Sequence, residues 1–397
     1  MSFEFKKTVL SEVAIILMGQ SPKGEYCNDT GNGVPLLNGP TEFGTVHPTP
    51  VQFTIDPKRM ALKNDLLFCV RGSTVGRMNW ADRDYAIGRG LAAIRPNNPR
   101  IRHFVKALIS FNLPFMINSS TGSTFPNISK DLLHTLPVFI PTRGEEQEAI
   151  SNMLGSIDEK ININNAINKN LEEVAQALFK RWFIDFEFPN ENGEPYKSSG
   201  GEFEESEVGL IPKGWKIENF NSVFDLKYGK ALKEGDRREG DVPVYGSNGR
   251  IGFHNNSLVK GPGIVVGRKG NAGTVNFVEK DFFPIDTTFY VQLKPHCISS
   301  MYYAYYELIN QNLTKYSSDS AVPGLSKKMV EQNKVIIPIE EKIEEFDRSI
   351  SSIFQYKSNL EDQSDKLSKI RDTLIPKLMS GEIRVRIDEQ ELTSINE

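Results

Sequence analysis

A heptad stripe written twice, 196 residues apart, constrains this chain more than any other feature. The first copy runs from about Glu145 to Asp185 and the second from about Glu340 to Met379. Each follows an apolar run that ends in proline, PVFIP closing at Pro141 and VIIP at Pro338. Shifted by 196, Leu154, Ile157, Leu171, Val174 and Leu178 fall on Ile350, Ile353, Leu367, Ile370 and Leu374. In the first copy Ile150, Leu154, Ile157, Ile161, Asn164, Asn168, Leu171, Ala175, Leu178 and Trp182 are spaced alternately four and three, the seam of a helix that packs on another helix. The second copy continues through Phe346, Ile350, Ile353, Lys357, Leu360, Ser364, Leu367, Arg371, Leu374 and Leu378. Its polar interruptions mean that neither helix is self-sufficient. At ~1.5 Å per residue, forty residues span on the order of 60 Å, enough to hold other domains apart.

Charge follows the same duplication. The net charge of −4 divides into +6 for residues 1–143, −5 for 144–187, −5 for 188–211, +5 for 212–338 and −5 for 339–397. Two basic globular segments thus alternate with acidic helices, as two polyanion-binding modules on a protein-facing scaffold would. The N-terminus MSFEFKK lacks the apolar core of a signal peptide, and no apolar run approaches the roughly 20 residues that span a bilayer. The expectation is a cytoplasmic protein without a membrane partner. Cys27, Cys69 and Cys297 stand apart from one another and form no CxxC pair, so buried inert thiols are expected rather than a metal site or disulfides.

Each globular segment reads as α+β. Short helical patterns at Ser11–Leu17 and Asn221–Leu226 open them, LLFCV (Leu66–Val70) and IVVG (Ile264–Gly267) read as buried strands, and Arg102–Ile117 and Ser300–Leu313 read as amphipathic helices. The expected order is a first domain at 1–143, a long helix at 144–187, a surface linker at 188–211, a second domain at 212–338, a second long helix at 339–382 and a polar tail at 383–397. The chain is a tandem duplication with pseudo-twofold character.

Basic, glycine-flanked loops follow both buried strands and nominate Arg71, Ser73 and Arg77 in one segment, and Arg268, Lys269 and Asn271 in the other. Arginine pairs with phosphate oxygens or the guanine edge, and glycine lets backbone approach a ligand. A hairpin turn with solvated charges explains either loop alone; their recurrence favours nucleic acid. Lys23, Lys230 and Lys233 in the opening loops, Lys130, Lys327 and Lys328 before the last strand, and Arg89, Asn127 and Arg250 complete the candidates. No catalytic set is apparent: GxxxxGK[ST], HExxH and clustered cysteines are missing, as is the asparagine-proline-proline-aromatic motif of adenine methyltransferases. Asp158-Glu159-Lys160 falls on the heptad helix and reads as an exposed ionic face.

Two further segments, GLIPKGW (Gly209–Trp215) and LFKRWFIDF (Leu178–Phe186), together with the tandem organisation, resemble the specificity subunit of type I restriction-modification systems. The resemblance covers essentially the whole chain. It departs at the N-terminus, where FEFKKTVL lacks the PxGW opening and a shortened first strand is expected. The resemblance implies two target recognition domains, each reading half of an interrupted asymmetric site on double-stranded DNA, separated by two antiparallel helices that act as a ruler. It further implies two methylation subunits as partners, holding S-adenosylmethionine and modifying adenine, and restriction subunits using ATP and Mg, with no cofactor on this chain. An autonomous DNA-acting nuclease and a coiled-coil scaffold without DNA are the alternatives.

Overall fold

The strand predicted at LLFCV is buried on both faces, which dictates what surrounds it. The computed structural model describes residues 4–44, 47–120, 126–294, 296–317 and 324–385. Leu66, Phe68 and Val70 face a core shared with the helix Arg102–Asn118, whereas Leu67 and Cys69 face Leu37, Phe43, Ala61, Tyr85 and Ile87. A strand covered on both sides needs a continuous apolar run, and this one has it. The antiparallel sheet around it places Ala14–Met18 beside Leu91–Pro96, then Leu66–Cys69, then Met78–Trp80. A second sheet pairs Val34–Leu37 in parallel with Tyr85–Ile87.

The second domain repeats this frame. Phe224–Tyr228, Thr288–Leu293, Gly263–Gly267 and Val275–Val278 take the four places in the same order, and Val242–Gly246 pairs in parallel with Phe283–Pro284. Ile264 and Val266 face the main core while Val265 packs on Val278 and Phe282. The duplication read from the heptads therefore extends to strand order and facing.

Backbone contacts divide the chain into two units, residues 1–164 with 363–397 and residues 165–362, so both long helices, Gly144–Phe179 and Glu340–Ser380, contribute to each. In the first unit Ile150 and Leu154 share a core with Leu378 and Met379. The seam asparagine Asn164 donates to Gln363 (2.9 Å) and Ser364 (3.2 Å), the partner its pseudo-twofold position predicts. In the second unit Asn168 donates to the Lys357 carbonyl (3.4 Å), and the Lys357 ammonium meets Glu172. Residue numbers rise on one helix as they fall on the other, so the helices run antiparallel within each unit. None of the predicted seam residues is exposed.

The LFKRWFIDF segment contains a single π turn, Lys180–Ile184, which presents Trp182 and Phe183 to the core together. Phe183 meets Tyr303 (4.9 Å) and Phe346 (5.0 Å) edge-on, and Trp215 of GLIPKGW stacks on Phe188 at 5.2 Å. The two motifs thus converge on one aromatic core in the second unit, and their residue types answer to packing.

Several expectations need correction. The opening helical patterns are single turns, Leu10–Val13 and Phe220–Val223, followed at once by the strands Ala14–Met18 and Phe224–Tyr228. Ala14 and Ile16 are buried while Ile15 is exposed, a period of two that Ile-Ile-Leu concealed. The first strand is not shortened: Phe5–Val9 pairs with Pro137–Pro141 over five residues, against four for Lys216–Asn219 with Lys334–Ile337. The stretch 188–211 carries Phe203–Ser206, which forms a hairpin with Gly209–Pro212. Of the polar tail, Ile383 and Val385 pack on the first core and Arg384 pairs with Glu146 at 2.9 Å, while residues 386–397 lie outside the described residues. Cys69 is buried, but Cys27 and Cys297 are half-exposed. No helix among the described residues is long and apolar enough to cross a membrane.

Glu307 gives the second unit a pH signature. It is 4 % exposed on the helix Met301–Asn310 and accepts from Gln311 Nε2 at 2.6 Å. Burial pushes its carboxyl from the ordinary 4.5 up to about 7. The folded chain therefore holds a proton that the unfolded chain has released, so this stability is complete below pH 4.5, falls as pH rises toward 7 and is flat above. Glu307→Gln is expected to raise stability at pH 8 by up to about 3 kcal/mol and to leave it unchanged at pH 4. Thermal unfolding of both proteins across that range measures it. Asp347, raised to about 6 by burial, contributes a slope of the same sign.

Candidate nucleic-acid interface

The predicted basic loops gather at one end of each main sheet because antiparallel neighbours bring strand ends together. In the first unit Gly19 N–H bonds the Leu91 carbonyl (2.8 Å), Val70 N–H the Gly90 carbonyl (2.9 Å) and Ile128 N–H the Val70 carbonyl (2.9 Å). These bonds place Lys23, Arg71, Ser73, Arg89 and Asn127 on loops leaving the same end. Arg89 N–H is held by Ser21 Oγ at 3.2 Å, and Arg71 Nε donates to Asn127 Oδ1 at 3.0 Å. That bond engages Nε, and the terminal nitrogens of an exposed guanidinium are the pair that can meet guanine or phosphate bidentately. Arg71, Ser73, Arg89 and Lys130 are exposed, and Asn127 is half-buried.

The second unit repeats the closure with other side chains. Gly229 N–H bonds the Thr288 carbonyl (3.1 Å), Arg268 N–H the Thr287 carbonyl (2.9 Å) and Leu325 N–H the Arg268 carbonyl (2.8 Å). These bonds make Arg268 the counterpart of Val70. The counterpart of Arg71 is Lys269, and the isolated bridges Arg71 to Asn127 and Lys269 to Gly324 agree. Pairing Arg71 with Arg268 by sequence was one residue out of register. The Arg268 guanidinium donates to the Asp286 carbonyl (2.8 and 3.0 Å) and lies 5.4 Å over the Tyr228 ring, so much of its capacity is engaged within the fold. Asn271 Nδ2 reaches Asn248 Oδ1 on the turn where Arg250 rests over Phe253 at 5.0 Å. Lys230, Lys233, Lys269 and Lys328 are exposed.

Two predicted residues are placed differently from the rest. Lys327 Nζ is held by the Leu226 carbonyl (2.8 Å) and Asp225 (3.5 Å), a structural tie. Arg77, on the edge of the sheet, lines a separate cleft. The loop glycines serve geometry first: Gly72 and Gly270 have φ of +90° and +78°, left-handed values that other residues rarely adopt. Sequence reasoning missed Tyr228, 60 % exposed beside Gly229, and Asn38, whose amide donates to Gln52 at 2.8 Å. An aromatic at a strand end beside glycine was the available signal for the first; the second had none.

A family model, the type I restriction modification DNA specificity domain, matches residues 4–173 and again 212–369. The chain belongs to that family. The putative type I restriction enzyme MjaX specificity subunit of Methanocaldococcus jannaschii is 35% identical over 164 residues, 41% of this chain and 38% of that protein. The HindI specificity subunit of Haemophilus influenzae is 24% identical over 82% of this chain and 88% of its own length. A crystal structure of the type I S subunit from M. genitalium shares the fold with a TM-score of 0.54 at 19% identity, covering 95% of this chain and 96% of that one.

Within a DNA specificity chain, the Arg71 and Asn127 pair acquires a definite consequence. Arg71→Ala is expected to weaken binding of the preferred site by roughly 1–3 kcal/mol and to relax preference at one base pair. Asn127→Ala frees the same guanidinium, so the double substitution costs less than the two single effects added. Lys269→Ala is expected to weaken binding, whereas Arg268→Ala lowers the unfolding temperature and leaves base preference intact. Affinities for a set of singly substituted duplexes, with melting curves alongside, separate these outcomes.

Proposed function

We propose that the loop-bearing end of each domain reads one half of a bipartite duplex DNA site, and that the chain supplies sequence choice to catalytic partners without catalysing a reaction itself. The observation that carries this reading is one hydrogen-bonded end built twice and presenting different side chains. Arg71, Arg89 and Asn127 stand at one, and Tyr228, Arg250, Lys269 and Asn271 at the other. The loops differ as well: Val34–Leu37 returns to Gln52–Thr54 through a long connection, whereas Val242–Gly246 returns to Gly249–His254 through a tight turn. Equal frames with unequal ends suit an asymmetric site. Two methylation subunits would bring S-adenosylmethionine and modify adenine after taking the base out of the stack. Restriction subunits would bring ATP and Mg, all in the cytoplasm.

Exchanging residues 1–143 for the matching segment of a relative is expected to change one half of the selected sequence and leave the other half as it was. Selection from a randomised duplex library reads both halves at once, and changes in both would refute the assignment of one domain to one half. Alone with S-adenosylmethionine and DNA the purified chain is expected to show no methyl transfer, which should begin when the methylation subunit is added.

A further inference from the structure

The two units differ most at one corner. In the first, a cleft of about 980 Å³ lies between the sheet edge, the start of the helix Arg102–Asn118 and the two long helices. Six lysines and arginines line it (Lys63, Arg77, Arg100, Arg102, Lys106 and Arg371) against three acids, Asp82, Asp158 and Glu159. Asp158 is not the exposed helix charge its sequence suggested. It is 13 % exposed and accepts from Lys106 (2.6 Å) and Arg371 (2.8 Å). Arg102 Nε donates to His103 Nε2 at 3.0 Å and its guanidinium lies 5.7 Å over Trp80. Burial, with Arg102 alongside, lowers His103 to about 4, so the ring is neutral at pH 7 and its Nε2 lone pair accepts the Arg102 hydrogen bond.

The internal duplication gives each of these positions a counterpart. Trp80 pairs with Leu66 as Phe277 pairs with Ile264. Trp80 meets His103 edge-on at 5.3 Å, and Phe277 stacks on Tyr302 at 5.2 Å. In that register Lys106 becomes Tyr305, Arg102 becomes Met301, Arg100 becomes Ser299 and Arg77 becomes Thr274. The 196-residue shift turns Asp158 into Phe354 and Arg371 into Ala175. Phe277, Tyr302, Tyr305 and Phe354 fill the second corner with packed rings. The same frame can therefore close here with apolar side chains, yet in the first unit it is left open, and five cations stand where the second unit has none.

We propose that this cleft binds the sugar-phosphate backbone of duplex DNA alongside the half-site read by the first unit, through Arg77 and Arg102. The inference rests on the DNA-reading function proposed above. Arg77 and Arg102 are exposed, and Arg77 directly precedes the strand Met78–Trp80, where Gly76 N–H bonds the Cys69 carbonyl (3.0 Å), so the cleft begins at the same end of the sheet as the Arg71 loop. Asp158 pairs with Lys106 and Arg371 at the back of the cleft and offsets one of their two charges, which leaves Arg77 and Arg102 to meet an outside anion. A pair of partners related by the pseudo-twofold would require equivalent surfaces in both units, and this one has no equivalent. A single duplex of asymmetric sequence does not.

The test uses the full chain and the duplex it enriches from a randomised library. With Arg77→Ala/Arg102→Ala the slope of log affinity against log salt should flatten by about two units, and affinity at 0.1 M salt should fall on the order of ten- to a hundredfold. The enriched sequence should stay the same. Arg77→Lys/Arg102→Lys should retain the slope. If loss of Arg102 from Trp80 unfolds the chain, Arg77→Ala alone should flatten the slope by about one unit. Neutral methylphosphonate linkages flanking that half-site should weaken the wild type and leave the alanine variant unaffected. An unchanged slope, an altered base preference, or loss of binding to a protein subunit with the DNA slope intact would each overturn the inference. Failure of the wild type to enrich any sequence would instead count against the DNA-reading function.

Discussion

Neither long helix can bury its apolar stripe by itself, and that single deficit organises the molecule. Each stripe is interrupted by polar residues, and each helix is divided between two units. Within a unit one helix supplies its start and the other its end, and the pair completes the core of the adjacent domain: Ile150, Leu154, Leu378 and Met379 in the first, Ala175, Phe179, Phe346 and Ile350 in the second. Truncating a buried side chain of this kind typically costs about 2–5 kcal/mol, a large share of a domain's net stability. The polar seam positions are matched instead of filled. Asn164 with Ser364, Glu172 with Lys357 and Asp158 with Arg371 each satisfy a group that would be costly to leave alone in a partly dry interface. These pairs also fix which residues face one another, as a polar seam residue does in a coiled coil.

Duplication supplied one frame, and the frame constrains far less than it supports. The same backbone bonds close the end of each main sheet, so many of the loop side chains there are free to differ. Gly19 and Gly229 show where freedom stops. A Cβ would stand 2.2 Å from the Gly88 carbonyl oxygen at the first and 2.1 Å from that of Ile285 at the second. Around such fixed points one unit carries Val70 where the other carries Arg268, and aromatic packing in one corner answers to a charged cleft in the other.

Much of the frame was legible because burial imposes periods on sequence. The heptads gave the helices, the family resemblance their antiparallel arrangement, the apolar runs the central strands, and the distance between copies the duplication. Failures occurred where period and composition disagreed with packing. Ala14–Met18 alternates in burial, but Ile-Ile-Leu is apolar throughout and reads equally well as helix. Lys327 looked like its counterpart Lys130 until Asp225 and the Leu226 carbonyl came within reach from another strand. Arg268 looked like Arg71 because both follow a buried strand, and only the backbone bonds show the one-residue offset. Asp158 looked exposed because helical spacing carries no information about Lys106, which comes from a different helix.

The residues that made the family recognisable are therefore not those that would choose a DNA sequence. Phe179, Trp182, Phe183 and Trp215 lie in one core cluster, where a change of shape is felt by every neighbour. Arg71 and Asn127 hold each other at a solvent edge, where on the proposed reading a change of either would be felt by the ligand and hardly at all by the core. A chain under both demands keeps the first set nearly fixed and lets the second vary. Its packing motifs then announce what kind of molecule it is, while on the proposed reading the bases it prefers would be written in loops whose backbone would close in the same way around other side chains.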